Sequence, residues 1–212
     1  MVKPSLLGKA LKTKGNLMKK TIIVMAIASL TGCMSIEGLN QKLIPVNQWY
    51  EQEYEATRFT QRYQFTKTNI STVRTTIVDL LPTIGMTVTS SANDIIATGY
   101  PTTMFTTEEC ELWKNADDEK SKELSGGLIS LTCDPSEKNS NLIVTFSFKE
   151  LSAGTLIVLD YELKAPKFEA YGLHAPRRPP PTASKAGSSK MWNLLNAKLP
   201  FPVRPATKED VQ

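Results

Sequence analysis

Residues able to do chemistry are few in this chain. Its single histidine, His174, sits between Leu173 and Ala175-Pro176 with no acid or nucleophile motif beside it, and reads as an incidental surface residue. The sequence holds no G-x-S-x-G, no P-loop glycine pattern, no H-E-x-x-H and no Cys-x-x-Cys. Asp117-Asp118-Glu119 is a dense acid cluster, but neighbouring acids on a helix point in different directions, so it reads as a solvated face. No cofactor and no catalysis are expected. Binding chemistry is better represented. Trp113 stands in a charged stretch, and Arg177-Arg178 precede Pro179-Pro180-Pro181. Tryptophan and arginine are residue types in which binding energy concentrates, so Trp113, Arg177 and Arg178 are the candidate partner-binding residues. The Pro-rich run can be a ligand for an aromatic groove or a stiff connector, and the connector is preferred.

A different chemistry is written near the start. Lys19 and Lys20 precede an uncharged run of eleven residues, Ile22 to Gly32, which ends in Leu30-Thr31-Gly32-Cys33. A basic n-region, an apolar h-region and small residues at the cut form a secretory signal. The run is too short to cross a bilayer, which takes about 20 apolar residues. The Leu-Thr-Gly-Cys ending resembles the lipobox of bacterial lipoproteins. That resemblance implies cleavage before Cys33 and acylation of Cys33, which becomes the first residue of the mature chain. It also implies a location: Met34, in place of the aspartate that favours inner-membrane retention in enterobacterial lipoproteins, points to the outer membrane, with the domain facing the periplasm. Met18 opens a complete signal by itself, so Met1 to Leu17 are an upstream extension or a long basic n-region.

Charge changes sign on maturation. Six of the 25 basic residues precede Cys33, while all 21 acids follow it, so the mature chain is slightly acidic. The basic precursor is therefore no argument for a nucleic-acid partner, which needs a basic face. With Cys33 taken by lipid, Cys110 and Cys133 remain as an even pair in an oxidising compartment, where a disulfide is expected. Two buried free thiols or a metal pair are the alternatives, the latter poorly served by one distant histidine.

The elements that must position these residues follow from periodicity. Residues 1–32 are extension and signal, and 33–57 read as a polar lipidated tether containing Trp49, Tyr50 and Tyr54, aromatics expected to pack on the domain surface. An α+β domain spans 58–165. Its first strand is expected from Phe59 through Phe65 by alternation. Asn69 caps a helix to Leu81 with Ile70, Val73, Ile77, Leu80 and Leu81 on one face. Met86–Thr89 and Ile95–Thr98 make a hairpin, 108–124 a charged helical insert, and Leu128–Cys133 a return to strand. Leu142–Phe148 and Thr155–Tyr161 form the strongest strand pair, joined at Ser152-Ala153-Gly154. A Pro-rich connector (166–187) leads to a C-terminal helix (188–200) capped by Ser188 or Ser189, then a mobile tail (201–212).

The expected fold is α+β: an antiparallel sheet of about five to six strands with one or two helices on one face. This order is similar to the helix-grip modules of small envelope lipoproteins. The expected function is a non-catalytic outer-membrane lipoprotein that acts as a binding or assembly subunit of an envelope protein complex. The alternative is a small-ligand or lipid carrier with a pocket lined by Val73, Ile77, Phe146, Phe148 and Ile157.

Overall fold

The computed structural model describes residues 35–133 and 140–211. Cys33 and the signal lie outside the described residues. Six antiparallel strands form one sheet in the order β2-β3-β4-β5-β1-β6. They are β1 (Tyr63–Thr66), β2 (Thr87–Ser90), β3 (Ile95–Gly99), β4 (Asn141–Leu151), β5 (Gly154–Lys164) and β6 (Arg204–Pro205). The helices are α1 (Ile36–Ala56), α2 (Ile70–Leu80), α3 (Thr107–Ser125), α4 (Pro166–Ala170), α5 (Pro181–Asn196) and α6 (Lys208–Val211). The α+β expectation is met, with α2 and α5 over one sheet face.

Each central element forms for a local reason. The Asn69 side chain accepts from Thr72 N–H at 2.9 Å and starts α2, whose Val73, Ile77 and Leu80 are buried. They meet Val144 and Phe146 of β4 and Ile157 and Leu159 of β5, joined from α5 by Met191, Trp192 and Leu195. The β4–β5 hairpin turns on Gly154, whose φ of 151° suits glycine; a Cβ there would lie 2.1 Å from the Thr66 carbonyl oxygen. Thr106 and Glu109 form a capping box that opens α3.

Several sequence expectations need correction. Most of the 33–57 tether is helix α1, capped by Ser35, with Asn40, Leu43, Val46, Tyr50 and Tyr54 buried. Polar residues on its inward face and Pro45 within it hid the helical period. Tyr50 and Tyr54 are buried outright, beyond surface packing. Phe59 is not in a strand: Arg58–Arg62 form a wide helical turn and β1 begins at Tyr63. That turn carries Arg62 inward to Glu55 and Asp160, an interaction that alternation could not register.

Leu128–Cys133 forms no strand. Ile129 N–H donates to Ser125 Oγ (2.9 Å) and Leu131 N–H to Asp118 (2.8 Å), so its backbone is held by α3 side chains, not by a ladder. The 166–187 connector contains α4 and the first seven residues of α5, which ends at Asn196 and not at 200. Its N-cap is Pro180, not Ser188 or Ser189. The 201–212 tail adds β6 to β1 and folds back through an Arg204–Asp210 ion pair at 2.8 Å.

Candidate binding cleft

Strand β5 outruns β1. The β1 register ends at Tyr63 opposite Val158, while β5 continues to Lys164. The backbone groups beyond Val158 on that side face no strand, and buried ones must still be satisfied. Side chains from three other segments take over. Arg62 Nε donates to the Leu159 carbonyl (3.4 Å), Tyr161 N–H donates to the Tyr54 hydroxyl (2.7 Å), and Arg178 donates to the Tyr161 carbonyl (2.7 Å). Leu163 N–H then reaches the Arg177 carbonyl at 2.7 Å. The segment around Arg177 and Arg178 is thereby fastened to the sheet.

Asp160 gathers the same side chains. Its carboxylate accepts from the Tyr54 hydroxyl (2.7 Å), Arg62 (3.0 Å) and Arg178 (3.2 Å). Both guanidinium carbons lie over the Tyr54 ring, at 4.0 and 4.3 Å from its centroid. Burial, reinforced by the Asp160 charge, pushes the Tyr54 hydroxyl far above its usual range and keeps it a donor. For Arg178, burial works against the charge, but the hydrogen bond it donates to Glu51 and the Asp160 charge outweigh it and hold the guanidinium protonated.

Alongside, residues 172–178 run along α1. Asn40 Nδ2 donates to the Gly172 carbonyl (2.9 Å), while its Oδ1 accepts from His174 N–H (2.8 Å). Asn47 Nδ2 donates to the His174 carbonyl at 3.2 Å. Between this strapped loop and α1 opens a surface cleft of about 540 Å³, bordered by Asn47, Glu51, Glu169, His174, Arg177 and Arg178. Arg177 is exposed at its edge. The backbone on both sides is fixed by the bonds just described, so the cleft is preformed.

The structure thus separates the candidate residues. Arg177 and Arg178 share the cleft, but Arg178 is no free binding group: it is committed to Glu51, Asp160 and Tyr161. Trp113 lies elsewhere and is only 6% exposed, packed with Cys110 and Ala183 and 6.2 Å from the Phe105 ring. Its indole fills the seam between α3 and α5, because the apolar side of a charged helix needs a large side chain to bury. Leu112 is the outward residue there. Asp117 corrects the solvated-face reading: it is buried and accepts from Thr182 N–H (2.7 Å) and Thr182 Oγ1 (2.8 Å). It caps α5, which Pro180 cannot do with its own side chain.

No family model, no curated protein and no solved structure matches this chain.

Cys110 and Cys133 form a disulfide, with Cα atoms 5.7 Å apart. It ties the stretch after α3 to the first turns of that helix and not to the sheet, because Cys133 lies in no strand. The proposed carrier pocket is filled: Val73, Ile77, Phe146 and Ile157 are fully buried core, with Phe148 packed against them. A cavity of about 40 Å³ lies beside Met104, Trp113, Tyr161 and Gly187. That is far below the roughly 300 Å³ of a small-molecule site. Among the described residues no helix is long and apolar enough to cross a membrane. Asn40 and Asn47 are functional-site neighbours that sequence reasoning missed. Their spacing of seven residues, two helical turns, is the signal that marks one face of α1.

Proposed function

We propose that this chain is a lipoprotein of the bacterial outer membrane, anchored through Cys33 and facing the periplasm, that serves as a non-catalytic binding subunit of an envelope protein complex. The partner docks in the cleft between α1 and residues 172–178, with Arg177 as a principal contact. The observation that carries this reading is the contrast between the two arginines. Arg178 spends its donors on the fold, while Arg177 stands exposed on a backbone already pinned by Leu163 and flanked by the strap of Asn40 and Asn47. With its backbone already pinned, Arg177 has only its side chain left to order on association, and its guanidinium donors are free for a partner. The lipobox-like Leu30-Thr31-Gly32-Cys33 supports the anchor, and the disulfide suits an exported protein.

Crosslinked capture of the full-length protein from membranes, read by mass spectrometry, tests both halves. Cys33→Ser should move the protein to the soluble fraction and abolish labelling by a fatty-acid probe; unchanged labelling ends the anchor reading. Arg177→Glu should reduce recovered partner at least tenfold with an unchanged melting temperature. Full recovery with that variant would remove the cleft as the docking site.

A further inference from the structure

Three of the six large apolar side chains exposed among the described residues lie together. Ile36, at the start of α1, is 55% exposed, Tyr171 74% and Phe168 37%. Phe168 and Tyr171 belong to a single turn, since Tyr171 N–H donates to the Phe168 carbonyl at 3.1 Å. Ile36 is beside them: a Cβ on Gly172 would lie 3.6 Å from its Cγ2. The Asn40–Gly172 bond holds this contact in place. Among the described residues nothing covers these three side chains completely. Lys42 and Lys167 are nearby in sequence, but Glu37 and Glu169 balance them, so the patch has no strong charge preference.

Covalent reach names the occupant. Ile36 follows Cys33 by three residues, and three residues span at most about 11 Å. A lipid on Cys33 therefore brings the bilayer surface to within that distance of Ile36. We infer that Ile36, Phe168 and Tyr171 form a membrane-contact face that seats the domain on the phospholipid surface holding the Cys33 lipid, so that the domain is oriented and not free to swing. The inference rests on the anchor reading above. Tyrosine suits this boundary because its ring is apolar and its hydroxyl stays wet. The cleft between α1 and 172–178 begins beside this face, and α1 carries it away from the membrane toward a partner.

The fold also supplies a control. Phe201 is 51% exposed, but its carbonyl accepts from Thr66, which pairs with Thr155 at the start of β5. Phe168 follows the other end of that strand, whose eleven residues extend roughly 33 Å. Tyr171→Trp and Phe201→Trp would be made separately in the full-length protein, purified with its lipid from membranes and placed in phosphatidylcholine vesicles. Phospholipid brominated near the headgroup end of its acyl chains quenches tryptophan at the interface. The Tyr171→Trp signal, taken over the wild-type background, should fall at least twofold, and the Phe201→Trp signal should not change. Adding Ile36→Ser and Phe168→Ser should restore the emission at position 171 while the lipid keeps the protein on the vesicle. An intact Cys33 lipid with no quenching at 171, or with equal quenching at 171 and 201, overturns the contact face and leaves the anchor standing. Mass spectra showing no acyl group on Cys33 overturn both.

Discussion

Replacing Tyr54 by phenylalanine tests the idea that side chains complete the sheet where β1 stops. Tyr54 is 2% exposed, so the change keeps the ring and its two guanidinium neighbours and deletes only the hydroxyl. That hydroxyl accepts from Tyr161 N–H and donates to Asp160, each at 2.7 Å. Asp160 keeps Arg62 and Arg178, so its charge stays compensated. The Tyr161 amide has no other partner on that side, because β1 pairs no further than Val158. Leaving a buried donor unsatisfied costs about 1–3 kcal/mol, and the lost bond to a carboxylate adds to it. We expect a total of about 2–3 kcal/mol, or roughly 4–12 °C in melting temperature for a domain of this size. Urea unfolding followed by circular dichroism measures the first quantity. Hydrogen exchange at the Tyr161 amide should accelerate selectively, which a general loosening would not produce. Tyr50→Phe is the comparison, since its hydroxyl meets only Ser121 and caps no backbone group. A Tyr54→Phe loss below about 0.5 kcal/mol, or an unchanged Tyr161 exchange rate, would refute the side-chain ladder.

Three other changes follow from the same geometry. Replacing Cys110 and Cys133 together by alanine opens a loop of 24 residues and should lower stability by roughly 3 kcal/mol in urea unfolding, with the joined peptides absent from non-reducing mass maps. Arg178→Ala should cost about 1–3 kcal/mol in the same assay, because it strips a partner from the Tyr161 carbonyl; Arg177→Ala should cost almost nothing. Asp117→Ala should lose about 1–3 kcal/mol through the uncapped Thr182, while Asp117→Asn can keep both partners. Burial raises the Asp117 carboxyl above its ordinary value of 3.8, against the Thr182 hydrogen bonds that oppose the shift. The folded state then binds more protons than the unfolded one between the two values, so this group's contribution declines as pH rises through that window. Stability of the wild type relative to Asp117→Asn should fall from pH 3.8 upward and then level off; a rise over that interval would contradict the assignment.

Much of the sheet and its covering helices was legible because those segments bury one face against a single layer. The β4 and β5 runs are long and apolar, and α2 shows its stripe from Val73 to Leu80, so simple periodicity suffices. Periodicity failed where an inward position is polar and its partner is distant in sequence. Asn40 is buried on α1 yet bonds residues more than 130 positions away, so its polarity read as tether. Arg62 and Asp117 misled in the same manner, one passing for the outward residue of an alternating strand and the other resembling a solvated acid. Small residues hid the start of α5: Ala183, Ser184, Gly187 and Ser188 are buried because α5 lies close to its neighbours there, and they give no apolar signal.

The two arginines show why the site was half legible. Sequence placed Arg177 and Arg178 together as equivalent binding residues, since composition gives both the same donors and the same charge. Their neighbours on β5 divide them. Leu163 engages Arg177 through its carbonyl alone and leaves the guanidinium free, while Tyr161 and Asp160 draw the next side chain inward under Tyr54. Which of two adjacent residues serves the fold and which faces a partner depends on where β1 ends, and that end is set by the inward turn of Arg62. Trp113 follows the same logic. A large aromatic on a charged helix is a contact residue only if nothing in its own chain covers it, and α5, started early by Asp117, covers it.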